Sequence, residues 1–150
     1  MSNIYQVRAA EASEAEFVAS LAAQLWPEES EEILAQEFSD SIKNGEGVWL
    51  ALDVSGKAIG FCHATLRREY VEGASEWPVA YLEGIFILPD FRQKGVGYLL
   101  LRAVESWGKE NGCTELASDA EWHNLSSQAF HLATGFKEAN RVVCYVKSIE

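Results

Sequence analysis

Basic residues are scarce in this 150-residue chain, where twelve Lys and Arg stand against twenty-three Asp and Glu for a formal net charge of -11. That imbalance disfavours nucleic acid, whose binding is driven by basic patches. It suits a polycationic small substrate drawn in by the summed field of the protein, although solubility alone would ask for the same surplus. Cysteine is nearly as sparse. Cys62, Cys113 and Cys144 are odd in number, widely spaced and set in apolar surroundings, so they read as reduced core residues, not as a zinc site or a disulfide framework. No metal is expected. No apolar run approaches the ~20 residues that a membrane helix needs. The opening stretch MSNIYQVRAAEASE lacks an apolar signal core, so no membrane partner is expected and the location expected is cytoplasmic. Proline occurs three times, and no repeat, linker or low-complexity tract appears. With 48% hydrophobic residues, five Trp and seven Phe, one folded domain over 1–150 with a substantial core is expected.

What is present centres on LEGIFILPDFRQKGVGYLLLRAV, Leu82 to Val104. Leu82 to Leu88 is an apolar, β-branched run interrupted only by Glu83 and Gly84, and Pro89-Asp90-Phe91 stops it. Arg92-Gln93-Lys94-Gly95-Val96-Gly97 then opens a helix whose apolar positions are Val96, Leu99, Leu100, Ala103, Val104 and Trp107. Those spacings are one face of an amphipathic helix. A strand, a glycine-bearing turn and a helix in that order form an anion site. The first helical turn has unpaired N–H groups and positive potential, and glycines let a phosphate approach the backbone. The dinucleotide and Walker spacings do not fit.

Taken in order, Ile4 to Arg8 alternates as an edge strand. Ser13-Glu14-Ala15-Glu16 reads as a capping box for a helix burying Phe17, Leu21 and Leu25 and ending at Trp26-Pro27. A second helix spans about Glu29 to Lys43, with Ile33, Leu34, Phe38 and Ile42 inward. Val48 to Val54 and Ala58 to Arg68 form a hairpin about Ser55-Gly56. Arg67 to Pro78 reads as a polar loop, and Val79 to Leu88 as the central strand. Gly112 caps the long helix, Leu116 to Asp119 is a short strand, Asn124 to Ala133 a helix, and Val142 to Lys147 a last strand. The order is β-α-α-β-β-β-α-β-α-β. Within it Glu83 stands out, because an unpaired carboxylate in an apolar central strand is costly. It serves either as an acceptor for an amine or its proton, or as an ion-pair partner of Arg67 or Arg68.

Arg92-x-x-Gly95-x-Gly97 in this setting resembles the acetyl-CoA pyrophosphate loop of the GNAT superfamily of N-acyltransferases, and the order of elements is similar to that of its fold. The resemblance implies an α/β (α+β) architecture: a central mixed, mostly antiparallel sheet of six to seven strands with about four helices. Leu25-Trp26, Arg68-Glu69-Tyr70-Val71-Glu72-Gly73, Tyr81-Leu82-Glu83-Gly84-Ile85 and Ala117-Ser118-Asp119-Ala120 resemble the aminoglycoside 6'-N-acetyltransferase branch. It implies acetyl-CoA as co-substrate, a polycationic aminoglycoside as acceptor and a homodimer. The pyrophosphate would lie on the N–H groups from Arg92 to Val96, with Gln93 in the turn and charge added by Arg92 and Lys94. Gly95 and Gly97 would permit the approach. The pantetheine would lie along Ile85, Phe86 and Ile87, with Asn124 opposite. Glu83 and Asp119 would bind or deprotonate the amine, either one being the base. Trp26, Tyr70 and Glu138 would line the acceptor pocket, each being otherwise a core or surface residue. Many members carry a tyrosine as acid four residues before the Gly-Phe pair. Here that position holds His131, which either donates the proton or is structural. Polyamines, other small amines and peptide termini are alternative acceptors, and a non-catalytic coenzyme-binding module is a third reading.

Overall fold

The structure is a computed structural model and describes residues 4–150; the first three residues of the opening stretch lie outside the described residues. Five strands form one sheet in the order β1-β2-β3-β4-β5. They are β1 (Gln6–Ala9), β2 (Gly47–Leu52), β3 (Ala58–Arg67), β4 (Val79–Ile87) and β5 (Leu116–Ser118). The first four pair antiparallel and β5 joins β4 in parallel, so the sheet is mixed and mostly antiparallel. The helices are α1 (Ala15–Leu25), α2 (Glu31–Lys43), α3 (Val96–Glu110) and α4 (Leu125–Ala133).

Helices cover both faces of the sheet. Val18, Leu21 and Ala22 of α1 and Leu34 and Phe38 of α2 pack on Val48, Leu50 and Phe61. Val96, Leu100, Leu101 and Val104 of α3, with Phe130 of α4, pack on Ala51, Ile59, Cys62 and Leu82. Burying a Leu- or Phe-sized side chain contributes about 1.5–3 kcal/mol, so these two layers fix where the strand ends and helix starts can stand.

Two irregularities of the sheet open it at β4. His63 of β3 faces Gly84 and Ala64 faces Leu82, so Glu83 is the extra residue of a β-bulge on β4. A bulge leaves one residue out of the ladder and re-aims its side chain. In addition, β5 pairs with β4 only from Ala80 to Leu82. From Glu83 onward the two strands part, and the outer edge of β4 through Ile87 has no described strand on it.

The fold differs from the sequence expectations in five respects. The sheet has five strands among the described residues, not six to seven. Val142 to Lys147 forms no strand: an apolar segment becomes a strand only by ladder bonds to a neighbour, and no described strand pairs with it. Cys144 within it is exposed, unlike buried Cys62 and Cys113. The helix entry lies two residues early, because Glu11 N–H donates to Glu14 Oε1 at 3.0 Å and a 3-10 turn at Ala12–Glu14 leads into α1. Phe17 (59%) and Ile33 (55%) are exposed, since α1 and α2 turn Val18, Ala22, Leu34 and Phe38 inward instead.

Candidate active site

The coenzyme end of the predicted site is made of backbone. A 3-10 turn at Pro89–Phe91 ends β4's continuation, and Arg92 closes it by donating its N–H to Pro89 O at 3.2 Å. The Arg92 guanidinium turns back, giving its Nε–H to Ile87 O at 2.8 Å and lying over the Phe86 ring. Gln93 has φ 60 and Gly95 φ +83. Left-handed residues of this kind curl successive N–H groups toward one point, an anion-receiving concavity. Gln93 adopts that conformation without glycine's freedom, a strain that persists only where the surroundings impose it. Leu99 N–H is the first in α3 to find an acceptor, Gly95 O at 3.2 Å. The N–H groups of Val96, Gly97 and Tyr98 therefore stand at the helix mouth, where they can receive an anion. Lys94 is exposed and lies over the Phe91 ring.

The two glycines have different jobs. Nothing lies within 4 Å of a Cβ built on Gly95, so its requirement is conformational. A Cβ on buried Gly97 would stand 2.7 Å from Phe130 and 3.3 Å from Ile87. Gly97 thus lets α4 and β4 close on α3, so it serves tight packing of strand and helix.

The acceptor end is made of side chains gathered from two strands and the residue after β5. Glu83 accepts from Thr65 Oγ1 at 2.9 Å and, through both its oxygens, from the Arg67 guanidinium, Nη2–Oε1 2.8 Å and Nη2–Oε2 3.1 Å. Of the two alternatives for Glu83, the ion pair with Arg67 is realised, and the bulge delivers it. Arg67 stacks 3.5 Å over the Tyr81 ring. Partial burial works against the Arg67 charge, but the hydrogen bond and charge of Glu83 outweigh it and raise the guanidinium's pKa. The Tyr81 hydroxyl donates to Asp119 Oδ2. Burial first, then that carboxylate, pushes the phenol's pKa well up, so it stays a donor. Glu83 and Asp119 are thereby joined through Arg67 and Tyr81 in one cluster at the parting of β4 and β5.

Thr65 carries no signal of its own in the sequence, and Tyr81 enters only as the first residue of the Tyr81–Ile85 resemblance, with no role attached. Tyr81 stands two residues before Glu83, which in a strand places two side chains on a common face, and that spacing was the available clue. Ser118 was missed as well. Its hydroxyl lies 2.8 Å from His131 Nε2, while His131 Nδ1 lies 2.7 Å from Ser127 O.

The remaining predicted residues divide. Trp26 is half-buried, edge-on to Phe61 at 6.2 Å, and a Cβ on Gly84 would stand 2.6 Å from its ring. It is therefore a wall laid directly over the bulge. Tyr70 is 75% exposed, and its hydrogen bond goes to neither Glu83 nor Asp119. It donates to Glu72 Oε2 at 2.5 Å, and Asn140 Nδ2 donates to Glu72 Oε1 at 2.7 Å. Glu138 holds Arg141 at 2.8 Å. These groups form an outer rim where the Arg67–Pro78 loop meets the C-terminal segment. Asn124 caps α4, its Oδ1 accepting from Ser127 N–H at 3.1 Å; its amide Nδ2 remains available. Among the described residues no cluster of three or more His, Cys, Asp or Glu could hold a metal ion, and no helix is long and apolar enough to cross a membrane.

Residues 8–136 match the model of the acetyltransferase (GNAT) family. The chain belongs to the GNAT family. A relative from Salmonella typhimurium, "Aminoglycoside N(6')-acetyltransferase type 1", is 41% identical over 124 residues, 83% of this chain and 86% of that one. A Stenotrophomonas maltophilia protein of the same name is 37% identical over 145 residues, 96% of this chain and 94% of its own. Among solved structures, that of AAC(6')-Iy in complex with a bisubstrate analogue, CoA-S-monomethyl-acetylneamine, superposes with a TM-score of 0.91. It is 38% identical and covers 99% of this chain and 100% of that one.

Proposed function

We propose that this GNAT enzyme transfers the acetyl group of acetyl-CoA to the 6'-amine of aminoglycoside antibiotics, by direct attack of the amine on the thioester. The observation that carries the reading is the fork itself. An open β4 edge runs from a helix mouth rich in free N–H groups to a cluster of carboxylates exposed to one side of the sheet. The residues suit the coenzyme: a concavity of backbone donors for a diphosphate, and an unpaired strand edge for an amide-bearing arm. Bound acetyl-CoA supplies an activated acyl thioester.

Every other step falls to this chain. The N–H groups of the loop from Gln93 to Val96, with Lys94, hold the pyrophosphate; the Arg92 N–H, expected among them, is already given to Pro89 O. The edge at Ile85, Phe86 and Ile87 aligns the pantetheine, and Asn124 Nδ2 donates from across the groove. Asp119, held by Tyr81 at one oxygen, keeps the other for the acceptor's ammonium and takes its proton. Glu83 is occupied by Arg67 and Thr65, so it anchors amines electrostatically and is the weaker base. Trp26 bounds the sugar seat, with Tyr70 and Glu138 on the rim.

The unit is a single domain, working as a cytoplasmic homodimer where acetyl-CoA is made. Val142 (68%), Val143 (76%), Tyr145 (91%) and Val146 (99%) are exposed in succession; an apolar run of that kind supports cover by a second copy. A thiol-release assay tests the acceptor. Kanamycin and tobramycin should turn over, and an aminoglycoside bearing a 6'-hydroxyl should not. Equal or faster turnover of spermidine overturns the assignment.

A further inference from the structure

Asp119 and Ser118 are consecutive, so at the end of β5 their side chains leave the strand on opposite faces. Asp119 meets Tyr81 on the acceptor side. Ser118 meets His131, whose flanking residue Phe130 packs into the α3 layer. The thioester seat, on the proposed function, lies at the fork between them. A proton must be removed from the amine on one side of that seat, and the sulfur that departs must be supplied with one.

The hydrogen bonds of His131 determine what it can do. A backbone carbonyl only accepts, so Nδ1, 2.7 Å from Ser127 O, carries a proton. In the neutral ring Nε2 is then an acceptor and takes the Ser118 O–H across 2.8 Å. In the charged ring Nε2–H donates instead, and the Ser118 hydrogen is released to point elsewhere. Phe130 and Phe136 hold the ring edge-on at 6.0 and 4.9 Å, which fixes its plane. A histidine with Nδ1 committed to backbone and Nε2 on a strand-end hydroxyl is arranged to pass a proton through that hydroxyl.

We propose that Ser118 and His131 form a proton relay to the departing coenzyme sulfur, with Ser118 as the group that delivers it. This rests on the acetyl-transfer reading above. The C–N bond forms as the C–S bond breaks, and the electron pair of that bond stays on sulfur. The step starts from the charged ring: the Ser118 hydroxyl protonates the sulfur, and His131 Nε2–H restores the hydroxyl. The ring, now neutral, regains its proton from solvent. Asp119 has meanwhile taken the proton lost by the amine and returns it to solvent, so protons balance over the cycle. The relay accounts for the missing tyrosine: a shorter imidazole reaches the sulfur by way of a hydroxyl that the strand supplies.

The test has a readout independent of turnover. Nitrogen-15 spectra of the imidazoles in the coenzyme-free protein, taken at a pH where the ring is neutral, should show His131 as the Nδ1–H tautomer, with its Nε2 resonance displaced in Ser118→Ala and restored in Ser118→Thr. In turnover, Ser118→Ala and His131→Gln should each lower kcat by roughly tenfold to a hundredfold, with KM for both substrates unchanged. The double variant should be no slower than either single one. Ser118→Thr should keep most of the rate, and added imidazole should restore a His131→Ala protein. An Nε2–H tautomer, full kcat in Ser118→Ala, or effects that multiply in the double variant would each overturn the relay. Failure of the wild-type protein on kanamycin would overturn the aminoglycoside assignment alone, because the tautomer is read without any substrate.

Discussion

The two ends of the site differ in material. At the coenzyme end, contiguous backbone from Gln93 to Tyr98 provides donors that no described group consumes. At the acceptor end, side chains from β3, β4 and the end of β5 provide carboxylates that the protein itself already partners, Glu83 with Arg67 and Thr65, and Asp119 with Tyr81. The contrast teaches that the first end is selected by shape and the second by competition. On the proposed function, a diphosphate would enter vacant N–H groups, and a polycation would have to match what Arg67 and Tyr81 already give the acids, which favours an acceptor with several amines.

The sharpest way to break that contrast is Asp119→Asn. The amide keeps the size and can still meet the Tyr81 hydroxyl, but it accepts no proton. We expect kcat/KM for kanamycin to fall by about 10³-fold, with coenzyme affinity, read by calorimetry, unchanged. Full retention of activity would mean that the acid at this position is a spectator. Glu83→Gln should cost less, about tenfold to a hundredfold. The loss should appear in KM for the aminoglycoside, because the role assigned to Glu83 is anchoring. If the loss fell on kcat instead, Glu83 would be the base.

These unequal ends were unequally legible. Gly95, the helix mouth and the α3 face at Val96, Leu100 and Val104 are properties of adjacent residues, so they could be read along the chain. The bulge that aims Glu83 exists only as a mismatch of register between His63–Ala64 and Leu82–Gly84, which no single strand displays. The same holds for Tyr81 with Asp119, thirty-eight positions apart, and for Ser118 with His131. The exposed faces of Phe17 and Ile33 and the unpaired Val142 to Lys147 were misread for a related reason. Periodicity tells which residues share a face, but not whether another element arrives to cover it. The Ser13–Glu16 capping box was displaced by one at Glu11 and Glu14, and Glu14 is also held by Arg8 from the neighbouring strand.

At the coenzyme end the effects should be smaller and of another kind. Gly95→Ala meets no atom within 4 Å but must hold φ +83, which costs an L-residue about 1–2 kcal/mol. We expect coenzyme affinity to weaken by roughly fivefold to thirtyfold, with kcat at saturation and aminoglycoside KM little changed. Gly97→Ala, two residues on, should behave differently. Its Cβ would overlap Phe130, so the melting temperature should drop along with binding. Identical behaviour of the two variants would erase the distinction drawn between a conformational and a packing glycine.

The smallest effect concerns a second Arg–Glu pair, the structural counterpart of Arg67–Glu83. Arg8 Nη1 and Nη2 donate to Glu14 Oε1 and Oε2 at 2.7 and 2.6 Å, and Glu14 also accepts from Glu11 N–H at the entry to α1. The Arg8 hydrogen bonds, then that backbone donor, lower the Glu14 pKa to about 2. A carboxyl whose pKa is depressed on folding contributes stability that is complete above its unfolded value and fades as pH falls toward the folded one. The contribution should therefore be full at neutral pH and disappear between about 4.5 and about 2. Glu14→Gln should remove about 1 kcal/mol at pH 7, with the difference from wild type closing as the solution is acidified through that window. Urea unfolding at a series of pH values measures it. Because this pair sits between β1 and the start of α1, away from the Glu83–Asp119 cluster, kcat/KM should not move. A loss of turnover in Glu14→Gln as large as in Glu83→Gln would show that the acceptor end depends on the stability of the sheet's far edge rather than on its own charges.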